Sequence, residues 1–349
     1  YADVIRQADW LIFLLEGRKE VISLSLAGSL RRRSEVVKDI DLLASSVNPA
    51  ALSSFFSSLG VDEFREQGET KTGILLDSGI RSDLRIVSQE QFPYALHHFT
   101  GSREHNTALR GRAKRMGMTM NEYGLFSEAG PIPCSSEGEL FSALGLSLIP
   151  PELRENMGEI EAAERGEIPR LIELKDIRGV LHLHTSSSDG SAGLEALARA
   201  AGELGFEYIG IADHSRSAQY AGGLSVEEVR RQCSEIDEYN RSHPDFRIFK
   251  GIEADILPDG SLDYDDETLA LFDYVIAAVH SYFSMPEPEM TGRILRALAH
   301  PRTTILAHPT GRLLLDREPY SADIDRIIDC AAEYGKILEL NANPQRLDL

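Results

Sequence analysis

Residues 180–184 read V-L-H-L-H, two histidines at the end of a short apolar run. The same event recurs down the chain. I-G-I-A-D-H ends at His214, F-K-G-I-E at Glu253, I-A-A-V-H at His280 and I-L-A-H at His308. One histidine beside an apolar run is usually a satisfied core or surface residue. Five runs in succession, each delivering His or Glu at the same end, are not explained by packing. Parallel strands joined by helical crossovers present their C-terminal ends on one face, so these side chains are expected to converge. Imidazoles and carboxylates converging in one pocket read as a metal site with more than one ion.

Strand and helix patterns alternate from residue 179 onward. Strands are expected near 180–184, 208–212, 247–252, 273–279, 303–307 and 336–340, with helices near 193–204, 225–242, 289–299 and 321–334. This rhythm predicts a parallel βα barrel. A closed barrel of this type needs about seven or eight strands, and six are visible before Leu349. Residue 1 is Tyr rather than Met. The reading therefore expects a fragment lacking both ends.

Residues 1–145 read differently. Strand-like segments near 21–27, 39–44, 73–77 and 80–87 mix with helical patterns near 3–16, 49–59, 89–99, 103–116 and 136–144. This predicts an α+β domain with a mainly antiparallel or mixed sheet. Pro150-Pro151, a charged helix-prone stretch and Pro169 mark residues 146–178 as a linker.

The 349 residues suit two domains, and 42% hydrophobic content supplies cores for both. No apolar run is long enough for a membrane span, and no secretory leader is expected. Cys134, Cys233 and Cys330 are far apart, which suits reduced thiols in a cytoplasmic protein. The formal charge of −20 argues against a polyanionic partner, but its distribution weakens the objection. Arg103, Arg110, Arg112, Lys114 and Arg115 cluster with only Glu104 among them, and Arg31, Arg32 and Arg33 form a second basic group. Such local patches can follow a phosphate backbone.

A second chemical constellation lies near the front, in A-G-S-L-R-R-R-S-E-V-V-K-D-I-D-L-L (27–43). Asp39 and Asp41, two apart on one strand, point to one face, while Ile40, Leu42 and Leu43 can anchor that strand. I-R-S-D-L-R-I-V supplies Asp83 from a neighbouring strand. Three such carboxylates can hold two Mg²⁺ ions for phosphoryl transfer. Gly28 and Ser29, at a strand end opening a short helix, offer backbone N–H groups to a triphosphate. A bare D-x-D is usually a solvated pair; the Gly-Ser turn and the second Asp-bearing strand favour the functional reading.

These segments, with H-H-F-T-G-S-R-E-H-N-T-A-L-R-G-R-A and M-T-M-N-E-Y-G-L-F, resemble the palm and thumb of family X DNA polymerases over residues 20–145. The resemblance implies that Asp39, Asp41 and Asp83 hold catalytic Mg²⁺ or Mn²⁺. Gly28 and Ser29 would contact the nucleotide phosphates. His98, Phe99, Gly101 and Ser102 would lie against the sugar, Asn106 would touch the base and Arg110 the template. The family usually carries Tyr-Phe where this chain has His98-Phe99.

L-H-L-H-T-S-S-S-D-G, with the later strand-end residues, resembles the PHP (polymerase and histidinol phosphatase) domain over 178–349. That implies a distorted barrel of about seven strands. His182, His184, Asp189, His214, Glu253, His280 and His308 would hold up to three Zn²⁺ or Mn²⁺ ions, and the family's last Asp-x-His ligands would lie beyond residue 349. Asp213 is weighed as an orienting neighbour or a loop cap, Glu339 and Asn341 as site residues, and Arg312 as a phosphate contact.

The combined reading is a palm (1–88, beginning with the end of the fingers), a thumb (89–145), a linker (146–178) and an incomplete PHP domain (179–349). It describes a monomeric gap-filling repair polymerase using dNTPs and primed or gapped DNA, with 3′–5′ exonuclease or 3′-phosphoesterase activity. The rivals are a nucleotidyltransferase fused to a small-molecule phosphatase, and a non-catalytic DNA-end scaffold. The His98 departure carries a prediction: His98→Tyr raises the ratio of dNTP to rNTP incorporation. An unchanged ratio in single-nucleotide extension assays excludes this side chain from sugar choice.

Overall fold

The computed structural model describes residues 2–61, 65–68 and 70–348. The chain divides into two compact units, Tyr1–Arg170 and Leu171–Leu349.

The first unit opens with α1 (Ala2–Glu16), which buries Val4, Ala8, Leu11 and Leu15 at helical spacing. There follow β1 (Val21–Leu26), the one-turn α2 (Gly28–Arg31), β2 (Asp39–Ser46), α3 (Pro49–Ser57), β3 (Arg65–Gln67), β4 (Lys71–Leu75) and β5 (Arg81–Val87). Asn48 caps α3, its Oδ1 accepting from Ala51 N at 3.1 Å. The strands form one mixed sheet in the order β1-β2-β5-β4-β3. Only the β2–β5 pair is parallel. Both central strands alternate. In β2, Ile40 and Leu42 are buried between half-buried Asp39 and Asp41; in β5, Ser82, Leu84 and Ile86 are buried between Arg81, Asp83 and Arg85. The apolar face packs under α1 and α3 through Leu11, Leu52, Phe56, Ile74 and Leu84, so the carboxylates are left on the other face.

Next come α4 (Phe92–Thr100) and α5 (Arg103–Arg115), the antiparallel ribbon β6 (Thr119–Asn121), β7 (Gly124–Ser127) and β8 (Gly130–Ile132), then α6 (Glu137–Ala143) and α7 (Glu159–Arg165). The ribbon is absent from the sequence reading. Its strands are only three or four residues long, too short for alternation to register.

The stretch expected as a linker differs most. Residues 146–165 pack into the same core as α5 and α6 through Leu146, Ile149, Ile160 and Ala163. Arg154 is fully buried; its Nη1 donates to Glu137 Oε1 at 2.5 Å and its Nε to Ile149 O at 3.0 Å. The charge pattern that read as solvated is partly an internal ion-pair network. The Arg31–Arg33 group is drawn into ion pairs as well. Arg31 pairs with Glu137 at 2.6 Å, Arg32 with Glu155 at 2.7 Å and Arg33 with Glu152 at 3.2 Å. Arg31 and Arg32 therefore tie the unit together rather than forming an open basic patch, while Arg33 makes its pair at the surface. Arg103, Arg110, Lys114 and Arg115 on α5 are exposed.

The second unit alternates β9 (Gly179–Leu183), α8 (Leu194–Glu203), β10 (Tyr208–Ile211), α9 (Val226–Ser242), β11 (Arg247–Asp255), α10 (Asp266–Leu269), β12 (Tyr274–Ala278), α11 (Glu287–Ala299), β13 (Ile305–Leu306), α12 (Ile324–Tyr334) and β14 (Ile337–Leu338). The six strands form one parallel sheet in sequence order. The sheet is a curled half-barrel. Tyr274 Oη of β12 donates to Leu181 O of β9 at 2.6 Å, although two strands lie between them. Gly210 and Gly251 admit that ring: a Cβ on either would stand 2.3 or 2.2 Å from it.

The Glu137 network yields a prediction. Glu137→Ala leaves Arg154 charged, buried and without its carboxylate. We expect the first unit to lose about 3–5 kcal/mol in urea unfolding. A loss under about 1 kcal/mol excludes the network as a structural tie.

Candidate functional site

In the second unit, Glu253 of β11 is 2% exposed and stands at the centre of five histidines. Its Oε1 lies 3.3 Å from His182 Nε2, 3.3 Å from His280 Nε2 and 2.9 Å from His308 Nε2. Its Oε2 lies 3.0 Å from His214 Nδ1 and 3.5 Å from His184 Nε2. The five histidines come from within or just beyond four strands, His182 and His184 sharing β9, so the parallel sheet does the gathering. Asp189, exposed on the loop after β9, reaches His184 Nδ1 at 2.8 Å and His214 Nε2 at 3.5 Å. The expected ligand set is thus brought together. His308 holds a φ of +27°, uncommon for a residue with a side chain and of the kind that clusters at functional sites.

Two further carboxylates orient the ring. Asp255 Oδ1 lies 2.6 Å from His280 Nδ1, and Glu339 Oε1 lies 2.5 Å from His182 Nδ1. An ionised carboxylate only accepts, so Nδ1 of each ring carries a proton. Nε2 faces Glu253 Oε1, donates to it while the ring is protonated, and would be free to ligate a metal once that proton is lost. Glu339 Oε2 also accepts from His308 N at 2.8 Å, and Asn341 Nδ2 donates to it at 3.2 Å. Asp255 is missing from the sequence reading, although it sits two residues after Glu253 on the same strand face. That period-two spacing was the available signal. Asp213 orients no histidine. It accepts from Thr185 N and Oγ1, both at 2.7 Å, and from Gln232 Nε2 at 2.6 Å, which pins the loop after His184. Arg312 Nε donates to Arg346 O at 3.0 Å and so holds backbone.

Electrostatics follow from this packing. Burial alone would lower the pKa of His182, but hydrogen bonds to Glu253 and Glu339 outweigh it and raise it to about 10. His280 is likewise lowered by burial and raised more by Asp255 and Glu253, to about 9. Burial dominates at His214 and His308, whose pKa values fall. Burial opposes the charge on Glu253, yet the surrounding imidazoles hold its carboxyl well below the usual range.

Metal fits this donor set. Among the described residues, three groups bring ligand atoms within 4.8 Å of one another: His182–His184–Glu253, His184–Asp189–His214 and His214–Glu253–His280. The buried Nδ1 of His308 has no hydrogen-bond partner among the described residues. Mixed imidazole and carboxylate ligands suit a borderline dication.

In the first unit, the β2–β5 register sets Asp41 directly opposite Asp83 and Asp39 opposite Arg81. Gly28, at a φ of +60°, abuts this pair: a Cβ there would stand 2.0 Å from Asp41 Oδ2. Ala27 N donates to Asp41 O at 2.8 Å, fixing the turn that carries Gly28 against Asp41. Asp83 is held at 3.1 Å by both Lys71 Nζ and Arg81 Nε. The three palm carboxylates do not close as tightly as the histidine groups. Burial, then the charges of Asp39 and Asp83, push Asp41 up to about 6. An all-carboxylate face with this excess of negative charge fits a hard dication.

The remaining palm and thumb residues surround the turn between α4 and α5. Ser102 Oγ caps α5 by accepting from His105 N at 3.2 Å, and the Gly101–Ser102 peptide is cis. The Arg85 guanidinium lies 4.2 Å over the Phe99 ring. Asn106 Nδ2 donates to His98 O at 2.7 Å, and Arg110 Nε to Asn106 O at 3.2 Å. His98, Asn106 and Arg110 line one small cavity.

The chain matches the family described as DNA polymerase beta thumb over residues 95–155 and the PHP domain over residues 181–343. It is 44% identical over 334 residues to the DNA polymerase/3′-5′ exonuclease PolX of Bacillus subtilis (strain 168), covering 94% of this chain and 58% of that protein. The chain carries a DNA polymerase beta thumb followed by a PHP domain. The likeness to a probable phosphatase of Acetivibrio thermocellus is confined to part of the chain: 30% identity over 46% of this chain and 63% of the phosphatase. Repair DNA polymerase X of African swine fever virus is 29% identical over 36% of this chain and 78% of the viral protein. The chain thus spans between about half and two thirds of the Bacillus and Acetivibrio proteins. The thumb match runs to residue 155, into the packed stretch that the sequence reading assigned to a linker.

The Asp41 environment gives a pH prediction. A carboxyl whose folded pKa is raised contributes stability below its unfolded pKa, near 4, and loses it as pH rises through about 6. Without metal, Asp41→Asn therefore stabilises the first unit at pH 7.5, by at most about 3 kcal/mol. The gain shrinks as the pH falls to 4. Added Mg²⁺ narrows it by stabilising the wild type alone. Urea midpoints with and without chelator read this out, and a gain independent of pH overturns it.

Proposed function

We propose that this chain carries the template-directed nucleotidyl-transfer and 3′-end phosphoesterase centres of a gap-filling DNA repair polymerase. One observation supports it above the rest: a single chain pairs Asp41 with Asp83 in register beside the Gly28 turn, and also gathers five histidines on Glu253. A nucleotidyltransferase joined to a small-molecule phosphatase would not require the exposed basic face of α5.

In the palm, Asp39, Asp41 and Asp83 hold Mg²⁺ or Mn²⁺. Gly28 and Ser29 face the triphosphate of a dNTP. The turn at Phe99, Gly101 and Ser102, with His98, bounds the sugar. Asn106 meets the base and Arg110 the template strand of primed or gapped DNA. In the barrel, His182, His184, Asp189, His214, Glu253, His280 and His308 hold up to three Zn²⁺ or Mn²⁺ ions. Bound dications supply charge to the phosphodiester and lower the pKa of water. Glu253 would be the central ligand of the set, while Asp255 and Glu339 would hold His280 and His182 in the ligating tautomer. Water adds to phosphorus, the P–O3′ bond breaks, its oxygen takes a proton, and a nucleoside 5′-monophosphate leaves. We place this chemistry in a cytoplasmic monomer. No described helix is long and apolar enough to cross a membrane.

The test is separation of the two activities. Asp41→Ala or Asp83→Ala lowers nucleotide addition on a gapped primer–template by at least about 100-fold and spares 3′-end hydrolysis. Glu253→Ala or His184→Ala does the reverse. Near-normal incorporation by either aspartate variant sinks the palm assignment. Unchanged hydrolysis in both barrel variants sinks the other.

A further inference from the structure

Two features at the open end of the barrel are not spent on the ligand set. Tyr220 sits on the short turn Gln219–Ala221 and is 73% exposed. Its ring centroid lies 6.0 Å from that of His214 and 6.5 Å from that of His280. The loop beneath it is held firmly. Asp263 Oδ2 accepts from Ser215 Oγ at 2.8 Å and from Ser217 N at 2.9 Å, and Gly223 N donates to Ala218 O at 3.0 Å. A fixed loop therefore presents a largely solvated ring beside two ligand histidines. The second feature is Arg346, which lines the cleft of about 650 Å³ shared with His182, Glu253 and His308. Its Nη1 is buried with no hydrogen-bond partner among the described residues. A buried guanidinium N–H lacking an acceptor is costly, and phosphate oxygens are its preferred partners.

We propose that the cleft takes the 3′ end of a single strand, with Tyr220 stacking on the terminal base and Arg346 donating to the phosphodiester beside the ligands. The inference rests on the phosphoesterase reading above. An aromatic platform next to a phosphate site selects nucleotides without reading their sequence, because every base has a π-face. It also selects frayed or single-stranded ends, since a base on Tyr220 has left its duplex stack. Tyr220 and Arg346 are thus specificity residues: neither belongs to the metal-ligand set.

The experiment uses the full chain and a short oligodeoxynucleotide carrying 2-aminopurine as its 3′-terminal base, in chelator so that nothing is cut. The wild type and Tyr220→Phe should quench the fluorescence. Tyr220→Ala should abolish quenching and weaken binding about 5-fold or more. Arg346→Ala should weaken binding and reduce the salt slope by about one. Tyr334→Ala, an exposed tyrosine on α12, is the control and should change nothing. Quenching that survives in Tyr220→Ala overturns the stacking, and a salt slope unchanged in Arg346→Ala overturns the phosphate contact. Hydrolysis by the wild type with Mn²⁺ is read separately. If no nucleotide is released while Tyr220-dependent quenching persists, the phosphoesterase reading fails and the binding site stands.

Discussion

Glu253 carries the architecture of the second unit. A carboxylate that is 2% exposed needs compensation, and here five imidazoles surround it, with His182 and His280 raised enough in pKa to carry charge. His214 and His280 come from the strands beside β11, but His182, His184 and His308 come from two strands away and reach Glu253 because the sheet curls. The curl depends in turn on Tyr274, whose hydroxyl ties β12 to β9 and whose ring occupies the space that Gly210 and Gly251 leave. Core packing and site geometry are therefore one constraint. A side chain at Gly251 would act on the histidines through the backbone rather than through chemistry.

The palm solves the same problem with less. Its carboxylates converge through a single parallel pairing, β2 with β5, inside an otherwise antiparallel sheet. Side chains opposite each other on parallel strands share a face, so the register alone sets Asp41 beside Asp83. Lys71 and Arg81 offset the negative charge at Asp83, whereas Asp41 is buried among like charges and is pushed up to about 6. Both sites concentrate charge that a dication relieves. One uses hard oxygen donors and the other mixed nitrogen and oxygen donors.

The packed stretch after the thumb shows how composition misleads. Residues 146–165 are rich in charge and bounded by prolines, the usual marks of a solvated connection. Arg154 and Glu159 are nevertheless buried, because Glu137 and His105 wait inside the core to receive them. A buried charge is invisible in composition, since its partner lies at a distance in sequence that no local pattern records. The Arg31–Arg33 cluster is misread for the same reason.

Local patterns determined much on their own. Period-two alternation located β2 and β5, short apolar runs alternating with helical stretches located the strands of the barrel, and the residue types at strand ends named the ligand candidates His182, His184, His214, Glu253, His280 and His308. Those features are short-range consequences of which side chains a pleated strand buries. Tertiary structure alone decided which β-strand pairs with which, that Glu253 is the hub, that Asp255 and Glu339 orient its histidines, and that Asp213 holds a loop instead. Hydrogen-bond partners across 25 to 157 residues are chosen by where strands lie in space, and a linear pattern carries no term for that distance.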